Sequence, residues 1–331
     1  MMADVTVLVD ECRWPWRGRL WCHLVSDVSI EELHAFAVRL GFPRRSFQGD
    51  HYDLHEDLRS AALALGAQPV ASRELVRRLR NAGLRRRGAV AVRFEMPPIP
   101  GMLAPLVLSR LHAMMAPRAT LRVQRRGTTG VVIGGEQIDG EWDDAALRDL
   151  LVGAGFSCDP TGVTRALTLA DTVGPDMRLL AVGLNPSVVA AEAGYGFAGP
   201  TNRFWKAAIA AGLTDRPADP YRALVVHGVG MTDLVKRATP RSAEVTKDEY
   251  RAGADRLRRL VARLRPQAVA FVGLEGWRAA VDRRATPGWQ SDGFEGTPAY
   301  VLPSTSGLNA RVRLDELVEH LRAVQRPHPA R

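Results

Sequence analysis

An α/β protein with more than one domain is the expectation from these 331 residues. Three observations carry it. The length exceeds twice the roughly 150 residues of a common domain, and 46% hydrophobic residues leave enough apolar surface for packed cores. Strand-like and helix-like apolar patterns alternate through residues 175–331, which predicts a largely parallel sheet with helices on both faces. Two of those predicted strands run directly into loops dense in Gly, Pro, Ser and Asn, where open α/β sheets hold their ligands.

Residues 1–88 read as a small α/β domain. Val5, Val7 and Val9 alternate with Thr6 and Leu8 in a predicted strand that ends at Asp10. Ser29 and Glu32 form a capping box, and Leu33, Phe36, Ala37 and Leu40 follow at helical spacing up to Gly41. A second helix is predicted over Asp53–Leu65, stopped by Gly66, and a strand over Gln68–Ala71. Ser72 is placed as the cap of a basic helix carrying Arg73, Arg77, Arg78 and Arg80, and the triplet Arg85–Arg87 marks a solvated boundary.

Residues 89–174 read as an α/β accessory segment. It starts with the strand-like run AVAVRF and a stretch broken by Pro97, Pro98, Pro100 and Pro105. A helix is predicted around Leu106–Met115, strands over Thr120–Gln124 and near Gly130–Gly134, and a helix over Asp143–Gly153 that closes in AGF. That succession resembles the C-terminal half of class I methyltransferases. No glycine-rich cofactor loop follows a strand upstream, so an ordinary α/β linker domain is the alternative.

In residues 175–331, strands are predicted over Met177–Leu184, Ala223–His227, Ala268–Gly273 and Ala299–Pro303. Helices are predicted over Thr201–Ala211 and Leu314–Val324. Between them, the Thr246/Glu249 capping box opens a long helix with Leu257, Leu260, Val261 and Leu264 on one face, and Pro266 ends it.

Net charge narrows the partner. The chain carries +9, and only Lys206, Lys236 and Lys247 among its 45 basic residues are lysines. The charge is uneven: 14 basic and 11 acidic residues in 1–88, 8 and 9 in 89–174, but 23 and 16 in 175–331. A net +7 in that last segment suits an anionic partner, and nucleic acid leads. No uncharged apolar run reaches the ~18 residues of a membrane helix, and the first residues carry no basic-then-apolar leader. A cytoplasmic protein with no membrane association is the expectation. Cys12, Cys22 and Cys158 form no CxxC pair, which excludes a four-thiolate zinc or iron–sulfur site and points to reduced, packed thiols.

The chemistry is carried by four stretches in order: GLNPS (Gly183–Ser187), GYGFAGPTNRFW (Gly194–Trp205), GVGMTDLV (Gly228–Val235) and LPSTSGLNAR (Leu302–Arg311). Together they resemble the mismatch-specific uracil/thymine-DNA glycosylases, the Mug/TDG branch of the uracil-DNA glycosylase superfamily, over roughly residues 175–325. The resemblance implies a three-layer αβα fold for 175–331, preceded by the small α/β domains. It also implies a monofunctional DNA glycosylase of base excision repair, acting on duplex DNA that holds a uracil or related damaged pyrimidine opposite guanine. No cofactor and no metal are implied.

Residue roles follow by position. Asn185 falls on the family's catalytic asparagine, whose amide places a water below C1′; a neutral amide is a poor proton acceptor, so turnover is expected to be slow. Gly183, Leu184, Ser187 and Phe197 fall in the base-binding region, with Phe197 stacking on the flipped base. Leu308 is the apolar wedge at the tip of the last loop. Ser304, Ser306, Gly307, Asn309 and Arg311 complete the DNA-contacting set. Two departures stand out. Ser187 occupies a position usually held by glycine, near where a 5-methyl group would lie, so the resemblance does not extend to thymine acceptance. Val188, Val189, Ala190 and Ala191 replace polar residues, which leaves base contacts there to the backbone. The chain also lacks the first-motif carboxylate and last-motif histidine of the most active uracil glycosylases, and its few lysines argue against an imine-forming lyase.

Simpler readings stand beside these: Asn185 as a turn residue, Phe197 as core, Arg311 as a surface helix-start residue and Asn202 as a helix cap. A second functional reading is a non-catalytic DNA-damage binder whose N-terminal domain holds a separate activity. There, Arg13–Trp16, Arg17, Arg19 and Trp21 interleave aromatics and arginines, a pattern compatible with single-strand stacking. Asp10, His23, Asp27, His34, Asp50, His51, Asp53 and His55 are metal-ligand types whose spacing matches no zinc motif. This segment resembles a short bacterial domain family of unassigned function.

Overall fold

A computed structural model describes residues 7–16, 19–85, 99–116, 118–126, 130–160, 162–309 and 311–326. The start of the first predicted strand, Arg86, Arg87, the AVAVRF run, Pro97 and Pro98 lie outside the described residues.

The N-terminal sheet has β1 (Val7–Val9) at its centre, flanked by antiparallel β3 (Arg19–Ser26) and parallel β5 (Gln68–Pro69). β2 (Trp14–Trp16) and β4 (Tyr52–His55) both pair with β3. Val7, Leu8 and Val9 are all buried, because helices cover both faces. Val7 and Val9 pack with α1 (Ile30–Arg39) and α2 (Glu56–Ala64), while Leu8 meets Leu75 and Leu79 of α3 (Ser72–Asn81). Three expectations need correction. Tyr52–His55 is a strand, so α2 starts at Glu56 rather than Asp53; alternating burial of Tyr52 and Leu54 is the period-2 sign. Ser72 is the first residue of α3, capped by Ala71 without a side-chain bond, and its hydroxyl instead serves the Asp10 carboxylate. Ser29 does cap α1 through the Glu32 N–H, but Glu32 turns its carboxylate to the Ser26 hydroxyl.

In the middle segment, α4 (Ala104–Met114) and α5 (Asp144–Gly153, capped by Asp143) pack over small sheets whose named strands all pair antiparallel. One sheet joins β6 (Thr120–Leu121), β10 (Phe156–Asp159) and β11 (Gly162–Arg165); the other joins β7 (Val123–Arg126), β8 (Gly130–Ile133) and β9 (Glu136–Asp139).

The C-terminal sheet runs β13-β12-β14-β16-β15, formed by Leu179–Gly183 (β12), Val229–Asp233 (β13), Val269–Val272 (β14), Gly288–Phe294 (β15) and Thr297–Leu302 (β16). All neighbours are parallel except β15, the antiparallel edge. Side chains alternate between two apolar layers. Leu180, Val182, Phe271 and Val301 pack under α9 (Lys247–Leu264) and α10 (Leu274–Ala280). Leu179, Ala181, Val272 and Leu302 pack under α7 (Phe204–Ala210) and α11 (Leu314–Ala323). This is the expected three-layer αβα arrangement. The capping box at Thr246 is present, and Arg265 in the left-handed region ends α9 before Pro266.

Two expectations fail here. Ala223–His227 is not a strand but the end of α8 (Pro220–His227). Asp219 accepts from the Arg222 N–H, Pro220 opens the first turn and Gly228 closes it at φ 64°, and these caps outweigh the β-branched Val225–Val226 pair. α7 begins at Phe204 rather than Thr201, because Gly199–Asn202 turns first and Asn202 accepts from the Phe204 N–H through its side chain. The remaining helix, α6 (Val188–Ala193), follows β12.

A buried ionic knot ties the middle segment to this sheet. Asp171 accepts from Lys236 Nζ at 2.7 Å, from Arg256 Nη1 at 2.9 Å and from the Thr232 hydroxyl. Its neighbour Thr172 bridges to Met231 at the β13 edge. Among the described residues, no helix is long and apolar enough to cross a membrane.

Candidate active site

Parallel strands place their carboxyl ends on one edge of a sheet, and β12, β13 and β16 deliver three loops to that edge. The fourth wall is the Gly194–Asn202 loop before α7. Together they enclose a cleft of about 210 Å³ lined by Asn185, Ser187, Phe197, Asn202, Asp233 and Gly307, among others. A larger cavity of about 420 Å³, between α5 and α9, holds none of the four motif loops' residues. Gly183, Leu184 and Ser306 also line the motif cleft, whereas Ser304, Leu308, Asn309 and Arg311 lie outside its lining.

Asn185 is held by its nitrogen. Nδ2 lies 2.8 Å from Thr239 Oγ1, 3.0 Å from the Arg237 carbonyl and 3.2 Å from the Pro186 carbonyl. The Thr239 hydroxyl donates to the Arg241 carbonyl at 2.9 Å, so its lone pair faces the amide. Every neighbour of Nδ2 is therefore an acceptor, which assigns the NH2 group to that side and leaves the carbonyl oxygen for the cleft. The loop itself is stitched by a Ser187–Thr239 bridge and by Thr239 N–H donating to the Pro186 carbonyl.

Ser187 borders the cleft and also serves the next helix. Its hydroxyl accepts from the Ala190 N–H at 3.1 Å and caps α6. Phe197 adopts φ 60°, a left-handed conformation uncommon outside glycine, and its ring stacks on Phe204 with centroids 4.0 Å apart and planes 18° apart. Phe204 is fully buried and Phe197 only partly, so Phe197 presents an aromatic surface to the cleft with a rigid ring behind it.

The β16 loop is organised from within. Ser304 Oγ accepts from the Ser306 N–H, Ser306 Oγ from the Leu308 N–H, and Asn309 donates to the Ser304 carbonyl. Arg203, just before α7, reaches into it and donates to the carbonyls of Ser306, Asn309 and Val312. Asn309 is thus a loop brace, whereas both serines keep their O–H protons free to donate. Gly307 crosses Thr201 so closely that a Cβ there would sit 2.5 Å from the Thr201 side chain and 2.8 Å from its backbone oxygen. Next to it, Leu308 is 96% exposed, and Arg311 is exposed as well.

Asp233 has no role assigned from the sequence. It ends β13 opposite Gly183, and a Cβ at Gly183 would lie 2.3 Å from its carboxylate, so glycine makes room for the acid. Burial pushes its carboxyl up to about 6; Lys236 and Arg256 oppose the rise and the nearby Asp171 carboxylate adds to it. Asp171 behaves in the opposite way: burial would raise it, but Lys236 and Arg256 hold it below the ordinary carboxylate range.

Residues 170–325 match the model of the uracil DNA glycosylase superfamily. That stretch is just under half of the chain, and over it the chain is similar to that superfamily. Residues 7–82 match a second model, described as a protein of unknown function (DUF4031). Among solved structures, the chain is similar to a solution NMR structure from Methanosarcina acetivorans described as a candidate uracil DNA glycosylase, at 19% identity, covering 48% of this chain and 98% of that one with a TM-score of 0.35. The superfamily match spans all four motif loops that border the cleft at the carboxyl edge of the sheet.

Proposed function

We propose that the glycosylase domain hydrolyses the N-glycosidic bond of uracil, or of a related deaminated or adducted pyrimidine, opposite guanine in duplex DNA. The observation that carries this reading is the locked Asn185 amide. With its N–H groups spent on Arg237, Thr239 and Pro186, the carbonyl oxygen can only accept, and a water held there donates one proton to it and keeps a lone pair for C1′.

The steps balance without a cofactor. The C1′–N1 bond breaks and its electron pair leaves with the uracil ring. The water oxygen bonds to C1′, one water proton passes to solvent or to the departing base, and an abasic sugar remains. Flipping the base out costs a few kcal/mol, least at a mismatch. Leu308 fills the vacated stack, Phe197 receives the base, and the Ser304 and Ser306 hydroxyls with Arg311 hold phosphates. Ser187, anchored as a helix cap at the cleft wall, favours uracil over thymine by crowding the 5-position.

No lysine belongs to the cleft lining among the described residues, and Lys236 is spent on Asp171. Hydrolysis without strand scission follows, because an imine with C1′ needs a free amine.

The test is a panel of labelled duplexes carrying uracil, thymine, ethenocytosine, xanthine or hypoxanthine opposite guanine. Uracil release with breaks only after alkali is expected. No base release from any lesion, with mismatch-selective binding retained, would favour the non-catalytic binder.

A further inference from the structure

The N-terminal sheet assembles a second constellation that owes nothing to the glycosylase cleft. β3 lies between β1 and β4, and its His23 pairs in register with Asp53 across the β3–β4 ladder. Asp10, which follows β1, meets the same residue from the other side: its Oδ1 accepts from the His23 N–H at 2.6 Å. His51 lies just before β4, two residues from Asp53, and its Nε2 comes within 3.4 Å of Asp53 Oδ1. Three neighbouring strands therefore converge Asp10, His23, His51 and Asp53, with no fixed sequence spacing to reveal it.

The two imidazoles are oriented alike. His23 Nδ1 is 3.0 Å from Asp10 Oδ2, and His51 Nδ1 is 2.6 Å from Asp50 Oδ1. Both carboxylates are buried, Asp10 completely, and each is further anchored: Asp10 by the His23 N–H and the Ser72 hydroxyl, Asp50 by Arg85 at 3.2 Å. A carboxylate on Nδ1 fixes the proton there and leaves Nε2 with a lone pair. Both Nε2 atoms point to one oxygen, Asp53 Oδ1, at 3.9 Å from His23 and 3.4 Å from His51.

Those separations are longer than good hydrogen bonds. They are close to the roughly 3–3.5 Å that separates donors bound at about 2.0–2.2 Å to one shared ion. Among the described residues this is the one group of three His, Cys, Asp or Glu side chains with ligand atoms within 4.8 Å of one another. The other metal-ligand types of the segment are engaged elsewhere: Asp27 with Arg78, His34 with Tyr52, His55 with Arg19.

We propose that His23, His51 and Asp53 bind one divalent transition-metal ion of the imidazole-preferring class, zinc or nickel being the probes of choice. Asp10 and Asp50 are positioning residues that hold the two imidazoles. The three ligands are partly exposed, with Asp53 the most open at 43% of its side chain. Three protein ligands on an open face leave coordination positions for water, the pattern of a reactive rather than a structural site. The exposed Trp14 stands edge-on to His23 with ring centroids 6.1 Å apart and forms part of the rim.

The experiment uses the untagged full chain, stripped with chelator and titrated with Zn(II) alone and with Ni(II) alone by calorimetry. One ion per chain is expected. His51→Gln and Asp53→Asn should each weaken binding more than tenfold, and Asp50→Asn by roughly 10- to 100-fold through loss of the carboxylate behind the ligand. Circular dichroism of each apo variant checks folding, and Asp53→Asn, at the open face, is the variant least coupled to it. Should the histidine variants unfold, the visible spectrum of Co(II) bound to wild type reports nitrogen and oxygen ligation directly. No stoichiometric ion on the wild-type chain, or unchanged affinity in folded Asp53→Asn and His51→Gln, would overturn the assignment.

Discussion

The amide nitrogen of Asn185 donates to the Thr239 hydroxyl at 2.8 Å, and that hydroxyl passes its own proton on to Arg241. The chain of donors runs one way, so it dictates which end of the amide faces the cleft. Thr239→Val removes the acceptor while keeping the shape. One neutral hydrogen bond is worth about 0.5–1.5 kcal/mol, so single-turnover uracil release should slow roughly two- to tenfold, and Thr239→Ser should restore it. An unchanged rate in Thr239→Val would mean the other two acceptors suffice.

Gly307 tests the β16 loop. A methyl group there collides with the Thr201 backbone oxygen, which no side-chain rotation relieves. Gly307→Ala should displace the loop and weaken binding to a U·G duplex by about tenfold, while an exposed loop leaves the melting temperature nearly unchanged. Gel-shift titration beside thermal melting separates the two effects.

Leu308 is exposed yet apolar, and its expected work is confined to paired DNA. Leu308→Ala should slow excision from a U·G duplex by about tenfold or more and leave excision from a single-stranded uracil oligonucleotide unaltered. Equal losses on both substrates would count against a wedge.

Asp233 and Asp171 make opposite contributions with pH. Asp233 has a folded pKa raised to about 6, so its destabilisation is absent below about pH 4 and complete above pH 6. Asp171, held low, stabilises above about pH 4 and loses that effect as pH falls. Asp233→Asn should therefore melt higher than wild type at pH 8, by a free energy on the order of 1–3 kcal/mol, and match it near pH 4. A variant less stable than wild type at pH 8 would mean the Asp233 carboxylate is net favourable.

Much of the C-terminal domain was legible because its loops are dense in residues with few other uses. Asn185, Phe197 and Leu308 sit in stretches whose Gly and Pro content marks strand ends, and parallel pairing then brings those ends together. What escaped depends on pairing across the chain. Asp233 matters through its register with Gly183, and Thr239 through a bridge to Ser187, neither visible along one strand. Arg203 lies inside the predicted Thr201–Ala211 helix but organises a loop a hundred residues away. The helix over Pro220–His227 was hidden by two valines, although Asp219-Pro220 announced it. His23, His51 and Asp53 lacked a recognisable spacing because His23 meets Asp53 only through the β3–β4 register, and His51 joins them from the residue just before β4.

The central claim is that the glycosylase domain releases uracil through a water held by Asn185. The direct measurement is single-turnover base release from a labelled U·G duplex, with wild type and Asn185→Ala compared at equal, saturating concentration. Wild type should yield alkali-dependent breaks, and Asn185→Ala should be slower by roughly a hundredfold or more with unchanged melting and duplex binding. Equal rates for the two proteins would contradict the account.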